Sequence, residues 1–323
     1  MLVTGRSFRT LYLDELLPWK GGHPRIKGVF NQVPQETVVE IEFSEERRVV
    51  RVNGAEKARL SDLLGSFQAV EILPDDTQLV TGAPSRRRRF LDLAIAQWDH
   101  RYYQQILKYQ QALRQRNKSL QLKFNLDRDA LRIWNKILEE NGSYILWQRK
   151  RVVDELNREL GPVYGGLTTT RESCLVSYVS RSSAASLEDI KTEYCEKLLE
   201  TEARDIETGV TSFGPHRDDL AFLIQGKDAD AYASEGQKRS FVIALKLALA
   251  HFLKQREGKD PMIILDDVLT QLDRSRRTGL MNALESFQSF ISVTSMEFHK
   301  DLIPGGKWFR AENGSYSEIG RAA

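Results

Sequence analysis

The 323-residue sequence contains only two cysteines, Cys174 and Cys195, and they lack the CxxC spacing of a metal or redox site. So few thiols argue against a zinc site or a disulfide framework and favour a reducing cytosol. The longest apolar stretch, residues 241–253, is too short to cross a bilayer and is interrupted by Lys246 and His251. The first residues lack the apolar run of a secretory signal. The sequence therefore predicts a cytoplasmic protein that has no membrane partner.

Charge is distributed unevenly, although the whole chain has a net charge of only +2. Residues 86–158 contain 17 Lys and Arg against 8 Asp and Glu, a net +9, which leaves about −7 for the rest. A basic middle between acidic ends predicts that one part of the molecule meets a polyanion. The alternative is that solvated helices are simply rich in Lys and Arg, and Arg149, Lys150 and Arg151 are open to either explanation.

Hydrophobic periodicity predicts the main elements. Residues 36–52 alternate apolar and polar before an Asn53-Gly54 turn signal, which predicts antiparallel strands. Apolar residues recur at spacings of three, four and seven between residues 102 and 156, which predicts two long amphipathic helices packed antiparallel. Between them, an Asp in residues 124–129 can cap the second helix. Short strands are predicted at residues 67–73, 221–224 and 290–295, and a further helix at residues 187–202.

The most informative segment, residues 261–273, is a short apolar run that ends in Asp266 and Asp267. It predicts a buried strand that delivers two carboxylates to its C-terminal edge, as a nucleotide-hydrolysing site requires. Asp266 suits a Mg²⁺ ligand, and Asp267 suits a group that orients the attacking water. Taken alone, an Asp pair after an apolar strand is more often a solvated strand end or a helix cap.

A second candidate segment, Ser-Glu-Gly-Gln-Lys-Arg at residues 234–239, precedes an apolar helix whose periodicity favours one buried face. A Ser cap and a small Gly at a helix start form an anion site, because free backbone N–H groups and the positive end of the helix dipole point outward. By itself, Ser-x-Gly is usually only a cap. The order and spacing of the two segments, with Leu272-Asp273 shortly after, resemble the signature motif, Walker B strand and interface loop of ABC-type ATPases.

Longer matches resemble one family, the bacterial RecF recombination mediators, which are relatives of the SMC proteins with a short arm in place of a long coiled coil. The matching segments are residues 4–10, 82–92, 109–117, 214–219, 234–237 and 265–267. Among them, Gly-Pro-His-Arg-Asp-Asp and Tyr-Gln-x-Ala-Leu-x-Gln-Arg-Asn are far more specific than a generic ATPase motif. The matches run through nearly the whole chain, which is identified as a member of this family.

The resemblance implies an α/β fold: an ABC-type ATPase head built from residues 1–95 and 205–323, with an antiparallel helical arm, residues 96–204, inserted between. In the family, two heads dimerise around ATP, so that the signature of one subunit meets the triphosphate on the other. The resemblance thus implies ATP and Mg²⁺ as cofactors, with Asp266 at the metal and Asp267 as the catalytic residue. The implied nucleotide contacts are Ser234, Glu235, Gly236, Gln237, Asp273 and Thr294.

The resemblance also implies the work and the partners of the protein, in DNA replication and repair. These partners are single- and double-stranded DNA at gaps and junctions, a second copy in an ATP-dependent homodimer, the mediators RecO and RecR, and indirectly the recombinase RecA. Arg149, Lys150 and Arg151 in the basic middle are assigned to DNA phosphates, which supply affinity without sequence preference.

The phosphate loop is the one large departure from the family pattern. In the family, a strand, a Gly-rich loop ending in Gly-Lys-Thr and most of a helix precede the Thr-Gly-Arg-Ser segment, which begins here at residue 4. No G-x-x-x-x-G-K-[ST] motif occurs in the sequence, so the chain as written is expected to bind ATP poorly, and its ATPase activity stays open. A mis-assigned start at Met1 is the favoured explanation. The alternatives are a truncated, nucleotide-independent DNA- or protein-binding module and a remnant that cannot fold.

Overall fold

The computed structural model describes residues 24–32, 35–43, 48–57, 63, 67–122, 126–168, 170, 172–295, 305–312 and 315–321. The chain divides into two compact units, one formed by residues 1–68 with 96–100 and the other by residues 69–95 with 101–323. This division differs from the predicted head and arm, whose boundaries stay a prediction. The family-like segment at residues 4–10 lies outside the described residues.

The first unit contains an antiparallel sheet in the order β1-β2-β3-β4. Its strands are β1 at Arg25–Gln32, β2 at Gln35–Phe43, β3 at Arg48–Val52 and β4 at Ala55–Lys57. Val39, Ile41 and Phe43 alternate along β2 and are buried, as period-two patterning requires. Asn53 and Gly54 both have positive φ, 49° and 80°, and they close the hairpin between β3 and β4. The predicted antiparallel strands and turn are confirmed.

The second unit contains a three-stranded parallel sheet in the order β10-β9-β5. Its strands are β5 at Ala69–Ile72, β9 at Met262–Asp266 and β10 at Ser289–Ser292. Ile263 and Leu265 of the central strand β9 are buried, which confirms the strand predicted before the acidic pair. Because the three strands run parallel, their carboxyl ends meet at one edge, and the residues that follow β9 and β10 become neighbours.

Helix α7, Glu235–Glu257, packs against β5 of this sheet and against a long helix, α4, Arg128–Leu167. The sequence predicted one buried face, whereas residues on nearly every side of α7 are buried, because α4 covers the side that solvent would otherwise reach. Gly258 ends α7 in the left-handed conformation, with φ of 65°. Helix α8, Arg274–Leu284, follows β9 after a 3-10 turn at Leu269–Gln271.

The other helices are α1 at Gln78–Thr81, α2 at Pro84–Ala96, α3 at His100–Gln121, α5 at Leu187–Thr208 and α6 at Ala229–Tyr232. Arg116 of α3 donates to Asn135 of α4, and Tyr102 of α3 lies 3.0 Å from Arg149 of α4, so α3 and α4 are antiparallel, as predicted. Asp127 caps α4, which confirms the predicted Asp cap.

Two further groups of strands were predicted only in part or not at all. A small antiparallel sheet joins β6 at Cys174–Val179, β7 at Asp219–Ile224 and β8 at Lys227–Asp228, and the predicted strand at residues 221–224 is part of β7. Strand β6 was not predicted from the sequence, nor was the hairpin of β11, Lys307–Glu312, and β12, Ser315–Arg321. Among the described residues, no helix is long and apolar enough to cross a membrane.

Candidate nucleotide-binding site

Asp266 and Asp267 lie at the edge where β9 and β10 end. The hydroxyl of Ser292, the last residue of β10, donates to Asp266 Oδ1 at 2.7 Å and accepts from the Asp267 backbone N–H at 2.9 Å. Ser292 therefore fixes the side chain of one aspartate and the backbone of the other. Ser292 was not predicted as a site residue, because only the parallel register of β9 and β10 shows that it faces the acidic pair.

The backbone of Asp267 has a φ of 51°, in the left-handed region that few residues other than glycine adopt. Aspartate tolerates this region better than most residues, since its short polar side chain bonds locally. The Thr270 hydroxyl lies 3.1 Å from the Asp267 carbonyl oxygen and 3.2 Å from Oδ1, and it can donate to either. Sparsely populated backbone conformations are concentrated at functional sites, and the conformation of Asp267 agrees with a functional role for this residue.

The strand edge fits Mg²⁺ by the chemistry of its donors. Mg²⁺ binds through one or two carboxylates together with waters and substrate phosphates, and Asp266, Asp267 and Ser292 offer oxygen donors only. No group of three or more His, Cys, Asp or Glu able to hold a metal occurs in the described part of the chain. Nucleotide phosphates and water would therefore have to complete the coordination of a bound Mg²⁺.

Ser234 and Gln237 form a reciprocal cap at the start of α7. Ser234 Oγ accepts from the Gln237 backbone N–H at 3.3 Å, and Gln237 Oε1 accepts from the Ser234 backbone N–H at 2.8 Å. The Gln237 amide nitrogen donates to Glu172 Oε1 at 2.7 Å. The predicted Ser cap is confirmed. The remaining N–H groups of the first helical turn are the ones available to a phosphate.

Gly236 lies against the start of α8. A Cβ on Gly236 would lie 3.2 Å from Nη1 of Arg276, so a larger residue would push the arginine away. Arg276 donates to Asp273 from its backbone N–H at 2.9 Å and from Nη1 at 2.6 Å. These bonds hold the pKa of Asp273 below its usual value, and the backbone hydrogen bond makes the largest contribution. Arg276, which the sequence analysis missed, thus connects the predicted signature glycine with the predicted interface aspartate.

Two further predicted nucleotide contacts are exposed. Glu235, the first residue of α7, pairs with Lys238 at 3.3 Å. Thr294 lies two residues beyond β10, which ends earlier than the predicted strand. The structure brings Asp273 to the signature segment and places Asp266, Asp267 and Thr294 at or just beyond the sheet edge. The roles assigned to all of these residues toward ATP stay predictions.

Arg149, one of three cations predicted to contact DNA, is buried, with a relative exposure of 4%. Its Nη2 pairs with Asp92 Oδ1 at 2.7 Å, and its Nη1 donates to the Pro215 carbonyl oxygen at 2.7 Å. A guanidinium held in this way is not available to a phosphate. The placement therefore argues against the DNA contact predicted for Arg149 and assigns this residue to the internal packing of the second unit.

Lys150 and Arg151 differ in accessibility. Lys150 donates to the carbonyl oxygens of Ser182 at 2.8 Å and Ala184 at 2.6 Å, and burial lowers its pKa. The side chain of Arg151 is 40% exposed and lies over the Trp147 ring at 4.5 Å from the centroid. Of the three predicted DNA contacts, Arg151 is the one with a guanidinium that an external phosphate can reach.

Comparison with known proteins identifies the family, although no family model matches the chain. The DNA replication and repair protein RecF of Oceanobacillus iheyensis is 34% identical over 322 residues, 97% of this chain and 87% of that protein. RecF of Clostridium novyi is 31% identical over 316 residues, with the same two shares. The chain belongs to the RecF family.

Solved structures of RecF agree with this membership. The recombination mediator protein RecF of the RecFOR pathway has been solved with ATP and with ATPrS, and these structures have TM-scores of 0.88 and 0.87 to this chain. Each is 29% identical in sequence, with 99% of this chain and 86% of the solved chain covered. The predicted fold class, an α/β ABC-type ATPase head with an inserted helical arm, is confirmed.

In this RecF-family chain, the family-like segments at residues 82–92 and 109–117 converge on one loop, residues 211–219, which contains a third such segment. From α2, Arg87 forms two bonds with Asp219, Nε to Oδ1 at 2.7 Å and Nη2 to Oδ2 at 2.8 Å. Arg88 donates to the carbonyl oxygen of Asp218 at 2.8 Å. Two of the four arginines at residues 86–89, in the basic middle of the sequence, therefore bind this loop internally.

Helix α3 holds the same loop from another side. Fully buried Arg116 pairs with Asp205 at 2.7 Å and donates to the Thr211 hydroxyl at 2.8 Å. Asn117 Oδ1 accepts from the Thr211 backbone N–H at 2.8 Å. The signal for this role lay in the sequence, because Arg116 falls seven residues after Tyr109 on the apolar face of α3. Charge on a buried stripe requires an internal partner.

His216 in the centre of the loop is neutral. Its Nε2 lies 3.0 Å from the Thr211 carbonyl oxygen, which can only accept, so Nε2 carries the proton. Nδ1 then accepts from the Tyr109 hydroxyl at 2.6 Å. Burial lowers the pKa of His216 to about 4. Gly214, with φ of 128°, leaves no room for a Cβ beside the hydroxyls of Tyr109 and Tyr194.

Proposed function

We propose that this chain is a RecF-type recombination mediator that acts in the bacterial cytoplasm in DNA replication and repair. It binds single- and double-stranded DNA at gaps and helps RecO and RecR to load the recombinase RecA. The observation that carries the proposal is the joint placement of the acidic pair and the signature. Asp266 and Asp267 lie at the end of the central parallel strand, and Arg276 ties Asp273 to the glycine of the capped helix α7.

ATP binding and head dimerisation belong to the proposal. Solved RecF with ATP is similar to this chain over 99% of its length. In a form of the protein that binds ATP, Asp266 would hold Mg²⁺, which neutralises phosphate charge, and Asp267 would orient the water. Ser234, Gly236 and Gln237 of one subunit would face the terminal phosphate on the other, with Glu235, Asp273 and Thr294 beside them. Because the terminal phosphate would be bound by both subunits, the two heads would separate only after ATP hydrolysis releases that phosphate.

Binding to a gapped duplex tests the proposal. Fluorescence anisotropy is measured with gapped, blunt and single-stranded DNA at several salt concentrations, with and without ATP and Mg²⁺. We expect binding that is insensitive to sequence, weakens with salt and is tightest on the gapped substrate. Failure to bind gapped DNA at 50 mM salt would contradict the proposal. In a form of the protein that binds ATP, equal binding with and without ATP would indicate the alternative, a nucleotide-independent DNA-binding module.

A further inference from the structure

Three exposed arginines line one groove in the second unit. The groove has a volume of about 410 Å³ and is lined by Arg181, Arg204 and Arg217 among residues of α5, the end of β6 and the 211–219 loop. A neighbouring groove of about 400 Å³ shares Arg181 and Arg204 and adds Lys197. The two grooves together form a continuous basic track, defined here by these four cations.

Little negative charge opposes the basic track. Asp218 at its inner wall is buried and accepts a hydrogen bond from the Tyr178 hydroxyl at 2.6 Å. Glu200, which also lines the neighbouring groove, pairs with Lys197 at 2.7 Å, so within the described part of the chain the three arginines are the cations of the track without a carboxylate partner. Among the described residues, the side chain of Arg204 has no hydrogen-bond or ion-pair partner. Surface arginines without a carboxylate partner leave a positive potential that attracts a polyanion.

The track is preorganised by the buried network beneath it. Nε and Nη2 of Arg217 donate to the Thr211 carbonyl oxygen at 3.1 and 2.9 Å, and Nη1 of Arg181 lies 3.3 Å from the Ser212 carbonyl oxygen. Thr211 is in turn held by Arg116 and Asn117. Two of the three guanidinium groups are therefore fixed before a ligand arrives, which reduces the entropy lost on binding.

The chemistry of the lining favours a nucleic-acid backbone over an acidic protein segment. The hydroxyl groups of Thr208 and Ser212 also line the groove, but they donate to the Arg204 carbonyl oxygen at 2.8 Å and to Asp205 at 2.6 Å. The arginines therefore supply the phosphate contacts, and arginine is among the commonest phosphate ligands in protein–DNA complexes. A peptide would most readily add to the edge strand β6, but Asn157 already binds both the N–H and the C=O of Val176 at 2.8 Å. That edge is blocked at its centre.

We propose that the basic track of Arg181, Arg204, Arg217 and Lys197 binds consecutive phosphates of a DNA strand. The inference rests on the proposed function, because it names the surface through which this RecF-family chain holds DNA. It also moves the principal DNA contact away from residues 149–151, where one cation is buried and a second is bonded to two carbonyl groups. Specificity for base sequence is not expected, since the lining offers phosphate contacts only.

The test compares the double variant Arg181→Glu/Arg204→Glu with a control of equal charge change, Lys227→Glu/Arg310→Glu, whose residues are exposed and lie outside the track. Affinity for gapped duplex is measured from 50 to 300 mM salt. Loss of two phosphate contacts should lower the slope of log K against log salt by about 1.8 and weaken binding on the order of 50-fold at 0.1 M salt. The control should bind like the unmodified chain.

The single variant Arg204→Glu is a control for misfolding, because among the residues that the structure describes this side chain has no hydrogen-bond or ion-pair partner to lose. The thermal unfolding of every variant is measured by circular dichroism. If the double variant and the control bind alike, the track is not the DNA surface, while the proposed function stands. If the unmodified chain binds no DNA, the proposed function itself is wrong. If the double variant keeps DNA binding but loses binding of poly-glutamate, the track takes an acidic protein segment, and the inference is overturned.

Discussion

At the scale of single residues, His216 shows how one half-buried side chain couples the stability of the 211–219 loop to pH. The unfolded chain binds a proton at this histidine below a pH of about 6.5, whereas the folded protein binds it only near the lowered pKa of about 4. The stability that neutral His216 contributes is therefore complete above pH 6.5 and is lost as the pH falls toward 4. We expect a loss of about 2 kcal/mol between pH 7 and pH 5 from this group alone.

Urea unfolding of the unmodified chain and of His216→Gln at both pH values measures this contribution. The variant should lose about 1 kcal/mol at pH 7 from its weakened bonds to Tyr109 and Thr211, and should show the flatter pH dependence. Burial raises the pKa of neighbouring Asp218, which acts in the opposite direction as pH falls, but this effect is common to both proteins and cancels. Parallel pH dependences in the two proteins would show that His216 does not carry the effect.

Asp267 combines an unusual backbone with a proposed chemical role, and two substitutions separate them. Asparagine also tolerates positive φ, so Asp267→Asn should keep the fold and, in a form of the protein that binds ATP, should slow hydrolysis on the order of 100-fold while ATP stays bound. Asp267→Ala should also cost about 1 kcal/mol of stability from backbone strain. Single-turnover ATPase assays and thermal melts measure the two effects. If Asp267→Asn hydrolyses ATP at the rate of the unmodified protein, this carboxylate does not orient the attacking water.

At the scale of secondary-structure elements, the N-terminus of α7 contains both a helix cap and the proposed binding position for the terminal phosphate of ATP. Ser234→Arg removes the cap, which costs about 1 kcal/mol, and places a cation where the helix dipole is already positive. We expect it to abolish ATP-dependent dimerisation without lowering ATP binding by a single head. Sedimentation velocity with and without ATP, in a form that binds ATP, measures the dimer.

Ser186→Arg is the matched control, because Ser186 caps α5 and accepts from the Asp189 backbone N–H at 3.1 Å. Both variants lose a helix cap, so a difference in their ATP-dependent dimerisation reports on phosphate binding at α7 rather than on stability. An ATP-dependent dimer that survives in Ser234→Arg would rule out the trans-signature arrangement.

At the scale of the whole molecule, cations that are adjacent in sequence have different functions. Arg149→Ala should destabilise the second unit by about 3–5 kcal/mol, because Asp92 would be left without its buried partner. Arg151→Ala should leave the melting temperature nearly unchanged. It should reduce the slope of log K against log salt for DNA binding by about 0.9, the value of one phosphate contact. Thermal melts followed by DNA titrations compare the two. Equal stability of both variants would show that the Arg149–Asp92 pair does not hold the unit together.

Local rules were enough to predict the main elements and the family from the sequence. Alternating residues in β2, the Asn53-Gly54 turn, the apolar run before Asp266 and the cap at Ser234 each follow from local rules, because backbone preference and side-chain periodicity act over a few residues. The RecF-like segments were readable for the same reason, as contiguous motifs. Arg116 on the apolar face of α3 signalled a buried partner without naming it.

Which polar residues face each other depends on the packing of distant segments and could not be predicted from the sequence. Ser292 reaches the acidic pair through strand register, and Arg276 reaches Gly236 because α8, which packs on α4, begins beside the start of α7. Arg149 is buried although its sequence neighbours are basic. The basic track likewise joins residues from α5, the end of β6 and a loop. These choices depend on contacts between distant segments, and a charge count along the chain cannot distinguish a cation paired inside the fold from one that faces solvent.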